Sequence, residues 1–162
     1  MSYSASGQLK QGASERSSLA AAKNAIGAET MLGFNSARGL LELGQLMLDA
    51  SIARGRRDFK QSAALLSKAA QFEDALNYNE PPGWYLPPRE SLGAVLFQDG
   101  RFSEAEAVFR AELNVHARNP RALFGLAEAL NKQGKTAEAK HVRKDFGEAW
   151  KYADLTLRIE DL

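Results

Sequence analysis

The chain has 162 residues, of which 44% are hydrophobic and 25% charged, a composition typical of one soluble domain with its own core. Its 21 basic and 20 acidic residues give a net charge of +1, which excludes a global field that would attract nucleic acid or an anionic membrane surface. The absence of cysteine excludes disulfides, thiolate metal sites and thiol catalysis.

The N-terminal residues carry no apolar core of signal-peptide length, and no uncharged run is long enough to span a bilayer. We therefore expect a soluble protein, cytoplasmic in preference to exported. A mature exported form, or a fragment cut from a longer chain, would look the same. Neither nucleic acid nor a membrane is expected as a partner.

The chain begins with a predicted helix that lacks a partner. Gly7 and the residues after it are similar to the turn at Gly100, which predicts a helix over residues 8–26. It would be the second helix of a repeat whose first helix is missing. We expect this helix to close against the next one within the chain, which favours a monomer; the alternative is a weak homodimer that pairs through this face.

A long, irregular repeat is predicted over residues 35–76. Its first helix runs from Asn35 to Arg54 and ends at a turn at Gly55, because apolar residues recur at helical spacing and glycine ends the run. Leu43-Gly44-x-x-Met47 would then match Leu92-Gly93-x-x-Leu96. Asp58 is predicted to start the second helix.

Residues 77–86 form a predicted insertion loop, since paired prolines and a glycine cannot continue a helix. We expect it to be ordered, because Tyr78, Trp84 and Tyr85 are too many large rings to leave in water. Glu80, Trp84 and Tyr85 are candidate contacts for a ligand.

The next two repeats are more regular, over residues 87–119 and 120–154. Pro88 suits a first helical turn, and Gly100 suits the turn that follows. Ser103 with Glu106 predicts a capping box, Asn119 a cap before a first-turn proline, and Thr136 the cap of a last helix. The last helix would bury Val142, Phe146, Ala149 and Ala153 and cap the array.

The segments GRFSEAEAVF and GKTAEAKHVR begin 34 residues apart, and the apolar residues before them recur at the same offset. This period, with small residues at Gly93, Ala105, Ala127 and Ala139, resembles the tetratricopeptide repeat. The resemblance implies an all-α fold of about seven helices stacked as a right-handed superhelix, one domain over residues 1–162. The run EDALNYNEPPGWYLPPRESLGAVLFQDG also resembles the C-terminal region of longer bacterial tetratricopeptide-repeat proteins.

No constellation predicts catalysis, a cofactor or a metal site. Gly134-Lys135-Thr136 lacks the earlier glycine and the preceding strand of a phosphate-binding loop, so it is interpreted as a repeat turn. His116 and His141 have no ligand partner at metal-site spacing. We therefore predict that the protein is not an enzyme.

The resemblance implies a protein–protein interaction module that binds a peptide or helical segment in a concave groove. Its lining would come from first helices: Gln45, Asp49, Arg89, Glu90, Phe97, Phe124, Glu128 and Asn131. Acidic side chains flanked by phenylalanines favour a basic, apolar segment. The alternative function is a structural element of a larger solenoid or of a homodimer.

Overall fold

The structure is a computed structural model that describes residues 9–80 and 84–162. Seven α-helices lie in these residues, which confirms the predicted all-α class: α1 (Leu9–Ala25), α2 (Ala37–Gly55), α3 (Phe59–Asp74), α4 (Pro88–Gln98), α5 (Phe102–Val115), α6 (Pro120–Lys132) and α7 (Thr136–Trp150). Strands β1 (Met31–Leu32) and β2 (Asn35–Ser36) precede α2, and a 3₁₀ turn (Ile159–Asp161) follows α7. None of the described helices is both long and apolar enough to cross a membrane.

The chain folds as two compact units, which divide between Pro88 and Arg89 at the first residues of α4. The first unit contains α1, α2 and α3. The second contains α4 from Arg89 onward, α5, α6 and α7.

The start of α2 lies two residues later than predicted because β1 and β2 form an antiparallel hairpin, with Leu32 paired to Asn35. The Asn35 side chain is bonded to the backbone of Asn77 in both directions, at 2.9 and 2.7 Å. Ser36 then caps the helix by accepting the Gly39 N–H. Asn35 therefore fastens the hairpin to the segment after α3 instead of opening the helix.

The turn between α2 and α3 is centred on Arg57, whose φ is +60°, and the prediction of Gly55 as the turn residue is wrong. The Asp58 N–H donates to Ala53 O, as Arg101 N donates to Leu96 O after Gly100. Because these two hydrogen bonds are equivalent, Ala53 of the first repeat corresponds to Leu96 of the next. Asp58 caps α3 as predicted.

This alignment changes the register of α2, because Ala50, three residues before Ala53, takes the position of Gly93. The Ser62 hydroxyl of α3 donates to Ala50 O at 2.9 Å across the close contact between the helices. The predicted match of Gly44 with Gly93 is therefore wrong. A Cβ at Gly44 would lie 3.6 Å from the ring of Trp84 and 3.9 Å from Leu19.

Helix α1 packs along α2, as expected for closure within the chain. Arg16 Nε lies 2.5 Å from Asp49 Oδ1, and Lys23 Nζ lies 3.2 Å from Glu42 Oε2. Both pairs are largely exposed, so burial of apolar side chains between the helices contributes more than the ion pairs do.

Amide contacts and one aromatic ring hold the described residues of the loop after α3, whereas Pro81, Pro82 and Gly83 lie outside the described residues. Trp84 packs at Gly44, whereas Tyr78 is 80% and Tyr85 82% exposed, so the expectation that all three rings would be buried is wrong for the two tyrosines. The Asn79 amide lies against Gly33, where an added Cβ would be 2.5 Å from Nδ2. Backbone and amide contacts therefore hold the described part of the loop without the tyrosine rings.

Phe109 is the centre of the second unit, and its side chain is fully buried. A Cβ added at Gly93 of α4 would lie 2.5 Å from its ring, and one at Gly125 of α6 would lie closer still, against Cζ. The ring therefore fills the space between α4 and α6 where both helices lack a side chain. The predicted small residues of the repeats are buried around it: Ala105, Ala127 and Ala139.

Glycine turns connect the helices of this unit, since Gly100 has φ +78° and Gly134 φ +75°. The predicted caps at Ser103 and Thr136 are wrong, because Arg101 and Lys135 hold the cap positions without a side-chain hydrogen bond. In this unit Asn119 caps its helix as predicted, with Pro120 in the first turn.

The expected partner of Ser103 has another role. Glu106 accepts hydrogen bonds from Arg110, Gln133 and Lys135, and so joins α5 to the turn before α7. Helix α7 ends at Trp150, so the prediction that Ala153 is buried is wrong and this residue is exposed. Val142, Phe146 and Ala149, which were predicted to be buried with it, are only half-buried.

Candidate interaction face

Two stripes of side chains define the candidate surface, which we call the α4–α6 face. Positions 90, 94 and 97 lie on one side of α4, and the repeat-equivalent positions 124, 128 and 131 lie on the same side of α6. The face is built by the 34-residue period, because equivalent positions of stacked repeats point in one direction. It contains five predicted groove residues, Glu90, Phe97, Phe124, Glu128 and Asn131, and the sixth, Arg89, precedes Glu90 in the first turn of α4.

At the first turns of the two helices, Glu90 is buried in a polar network. Its carboxylate accepts from Arg121 Nε at 2.5 Å and from Asn119 Nδ2 at 2.7 Å, and only 5% of its side chain is exposed. A buried carboxylate is tolerated when charged and neutral donors satisfy it. Glu90 therefore joins α4 to α6.

The same Asn119 amide also donates to Glu112 Oε1 at 3.0 Å, and His116 Nδ1 lies 2.7 Å from that oxygen. Glu112 is fully buried. Asn119 Oδ1 meanwhile accepts from the backbone N–H of Arg121 and caps α6. One asparagine thus links α4, α5 and α6.

Further along α6, the predicted groove residues contact α7. Phe124 packs against Phe146, with ring centroids 5.6 Å apart, and Phe146 stacks on Trp150. Glu128 forms an ion pair with Arg143. Phe124 is 9% exposed, so its ring contributes mainly to the packing of the last repeat.

The end of the face at the last turns of α4 and α6 is more exposed to solvent. Phe97 is half-buried and meets Phe102 edge-on, with ring centroids 5.1 Å apart, while Asn131 is exposed. Arg89 is half-buried at the opposite end. The accessible part of the α4–α6 face therefore lies around Phe97 and Asn131.

The remaining predicted site residues belong to the first unit. Asp49 pairs with Arg16 of α1, and Gln45 is half-buried on α2. The Tyr78 hydroxyl donates to Glu80 at 2.5 Å, and this hydrogen bond raises the pKa of Tyr78. Trp84 is packed and Tyr85 exposed, so of the predicted loop contacts Glu80 and Tyr85 are open to solvent.

The segment after α7 returns to the α4–α6 face. Ile159 is 7% and Leu162 5% exposed, and Arg121 Nη2 donates to Asp161 O at 2.5 Å. Arg121 thereby bonds to Glu90 and to this segment at once. Sequence analysis did not single out Arg121, Ile159 or Leu162; the only signal was two apolar residues three positions apart near the end of the chain.

The turn that resembled a phosphate-binding loop is a repeat turn. Gly134 has the left-handed backbone that the turn requires, and Lys135 Nζ lies 2.7 Å from Glu106 Oε2. The lysine is thus paired within the fold.

Two adjacent antiparallel helix pairs with a shared face define a helical-repeat interaction fold. Residues 87–111 and 120–140 match the family model described as Tetratricopeptide repeat, so this part of the chain consists of tetratricopeptide repeats. The matched segments cover α4, most of α5, all of α6 and the start of α7. Comparison with curated proteins and with solved structures finds no match to the chain. The likeness to longer bacterial proteins stays a prediction.

Proposed function

We propose that the protein is an interaction module that binds a peptide or helical segment of a partner protein on the α4–α6 face. Tetratricopeptide repeats generally serve as protein–protein interaction modules. The observation that carries the proposal is that Phe97 is half-buried and Asn131 exposed at equivalent positions of the two matched repeats, which leaves an accessible apolar ring and an open polar position on one face.

Phe97 and Asn131 suit a partner segment that offers an apolar side chain accompanied by a hydrogen-bonding group. Aromatic rings are common anchors at protein interfaces because they offer a large contact area at low conformational cost. The preference for a basic segment stays a prediction and is not part of this proposal. Glu90 and Glu128, which suggested it, each have an arginine partner in the chain.

The proposal is tested by capture from a native cell extract with two matched variants. Asn131→Lys places a long charged side chain on the face, whereas Asn114→Lys makes the same change at an exposed position on α5, away from the face. We expect mass spectrometry to find a protein that wild type and Asn114→Lys retain and Asn131→Lys loses. Identical captures by all three chains would move binding away from the α4–α6 face.

A further inference from the structure

The segment after α7 is held as a single turn. The Arg158 side chain and backbone N–H bond to the Asp161 carboxylate, with three contacts between 2.9 and 3.2 Å. These contacts close the turn and direct residues 159 and 162, one turn apart, to the same side. Both side chains are buried although the turn itself has exposed charges.

The position of this turn is set by Arg121, whose guanidinium takes the Asp161 carbonyl while it holds Glu90. Arg121 is in the first turn of α6 and Glu90 in the first turn of α4. The turn therefore sits at the end of the α4–α6 face opposite to Phe97. A main-chain carbonyl held by a charged donor, with two apolar side chains beside it, is a common way to bind a short peptide.

The connection to this turn is loose. Between Trp150 and Ile159 the chain has no regular helix, and its side chains are exposed except that of Leu157, which is half-buried. Within it, the Trp150 indole N–H donates to Leu155 O at 2.8 Å. A turn attached by such a connection can leave its position while α7 stays intact.

The turn also has a charge preference. The pKa of Asp161 is lowered chiefly by its hydrogen bonds with Arg158, and Arg121 adds a smaller effect in the same direction. Glu160 between the apolar residues is exposed. The site thus holds an apolar–acidic–acidic–apolar turn, Ile-Glu-Asp-Leu.

We propose that residues 158–162 are an intramolecular ligand of the Arg121 end of the α4–α6 face. A partner segment that extends from Phe97 to this end would compete with them through the same chemistry: one helical turn with apolar residues at its first and fourth positions and acidic residues between them. This inference rests on the proposed function and names the class of partner. The acidic character is opposite to the basic segment expected from the sequence: Glu90 and Glu128 already have arginine partners, and the positive charge of Arg121, which binds the Asp161 main-chain carbonyl, lies near the Asp161 carboxylate.

The competition is measured with a fluorescent peptide of residues 153–162 and anisotropy titrations on the full chain. Ile159→Ala with Leu162→Ala loosens the turn, and Leu155→Ala, at a residue 69% exposed, is the matched control. The loosened chain should bind the peptide at least about tenfold more tightly than wild type, because its site is no longer occupied. The Leu155→Ala chain should bind like wild type.

Two altered peptides test the chemistry. Replacing Ile159 and Leu162 of the peptide by serine should abolish binding, and replacing Glu160 and Asp161 by lysine should weaken it at least about tenfold. Equal binding by the loosened chain and wild type, no binding to a folded loosened chain, or unchanged binding of either altered peptide would overturn the proposal.

Circular dichroism checks that the loosened chain keeps its helices. If the loosened chain unfolds, the Asp161→Ala chain is used in its place, since exposed Asp161 closes the turn through Arg158. The Asp161→Ala chain should gain less peptide affinity than the loosened chain, and no gain at all would refute competition. A wild-type dimer in sedimentation that the loosened chain does not form would place the turn on a second copy. Loss of capture by Asn131→Lys without any peptide binding would refute this inference and leave the proposed function standing.

Discussion

The ring of Phe109 between two glycines predicts a reversal of the usual effect of glycine-to-alanine substitution. In an exposed helix interior this change stabilises by about 1 kcal/mol, because alanine has the higher helix propensity. At Gly125 the new methyl carbon would lie 2.5 Å from Phe109 Cε1. The ring has little room to move away, since a Cβ at Gly93 of α4 would also lie 2.5 Å from it.

Overpacking of a core costs about 1–3 kcal/mol, and a ring clamped from two sides should be at the upper end of that range. After the propensity gain of about 1 kcal/mol, Gly125→Ala should destabilise the protein by about 2 kcal/mol. Gly147→Ala on α7 is the matched control, because a Cβ there meets no atom within 4 Å. It should stabilise by about 0.5–1 kcal/mol.

Urea unfolding followed by circular dichroism measures both effects as opposite shifts of the midpoint. Phe109→Leu should cost less when Gly125 is already alanine, with a coupling of about 1 kcal/mol or more in a double-mutant cycle. Phe109→Ala, which removes the whole ring, should cost about 3–5 kcal/mol. If Gly125→Ala proved as stable as Gly147→Ala, the proposed packing of Phe109 would be refuted.

Three further substitutions test the turn and the polar contacts. Arg57→Gly should raise the thermal midpoint by the equivalent of about 1 kcal/mol, since glycine adopts the left-handed backbone there without strain; a lower midpoint would contradict it. Burial raises the pKa of Glu106, but hydrogen bonds from three donors outweigh burial and leave the pKa below its usual value. The stability that the ionised Glu106 carboxylate contributes is therefore present above its unfolded-state pKa and lost as the pH falls through its folded-state pKa. Glu106→Gln should lower the free energy of unfolding by about 1–3 kcal/mol at pH 7 and by much less near pH 3. A difference in stability between variant and wild type that does not change with pH would be contrary evidence. Glu90→Lys should cost about 3–5 kcal/mol in urea unfolding, because it buries a second cation beside Arg121, whereas Glu29→Lys on the exposed connection should have little effect; equal midpoints would argue against the buried pair.

The two regular repeats could be predicted because their signals are local. Gly100 and Gly134 mark turns by backbone conformation, and Asn119 with Pro120 marks a helix start by two adjacent residues. In each case the residue type and its immediate neighbours determine the structure.

The first repeat was misaligned where a local signal was misleading. A glycine was expected at its turn, and Gly55 was available, but the left-handed residue is Arg57. The hydrogen bond from Asp58 N to Ala53 O, which sets the register, involves backbone atoms that carry no sequence signal. Small residues at Ala50 and Ser62 could have favoured the right alignment, since both fit a close helix contact.

The charge of the candidate face could not be predicted for a different reason. Sequence analysis located carboxylates on α4 and α6 but not their partners, because Glu90 and Arg121 are 31 positions apart and meet only once both helices stack. Stacking replaces the free carboxylate of Glu90 by a buried pair and leaves one edge of the Arg121 guanidinium for the Asp161 carbonyl. In the proposed competition, the group that meets a peptide at this end of the face is therefore a cation that the fold holds in place, and a change at Glu90 should alter peptide binding through the position of Arg121.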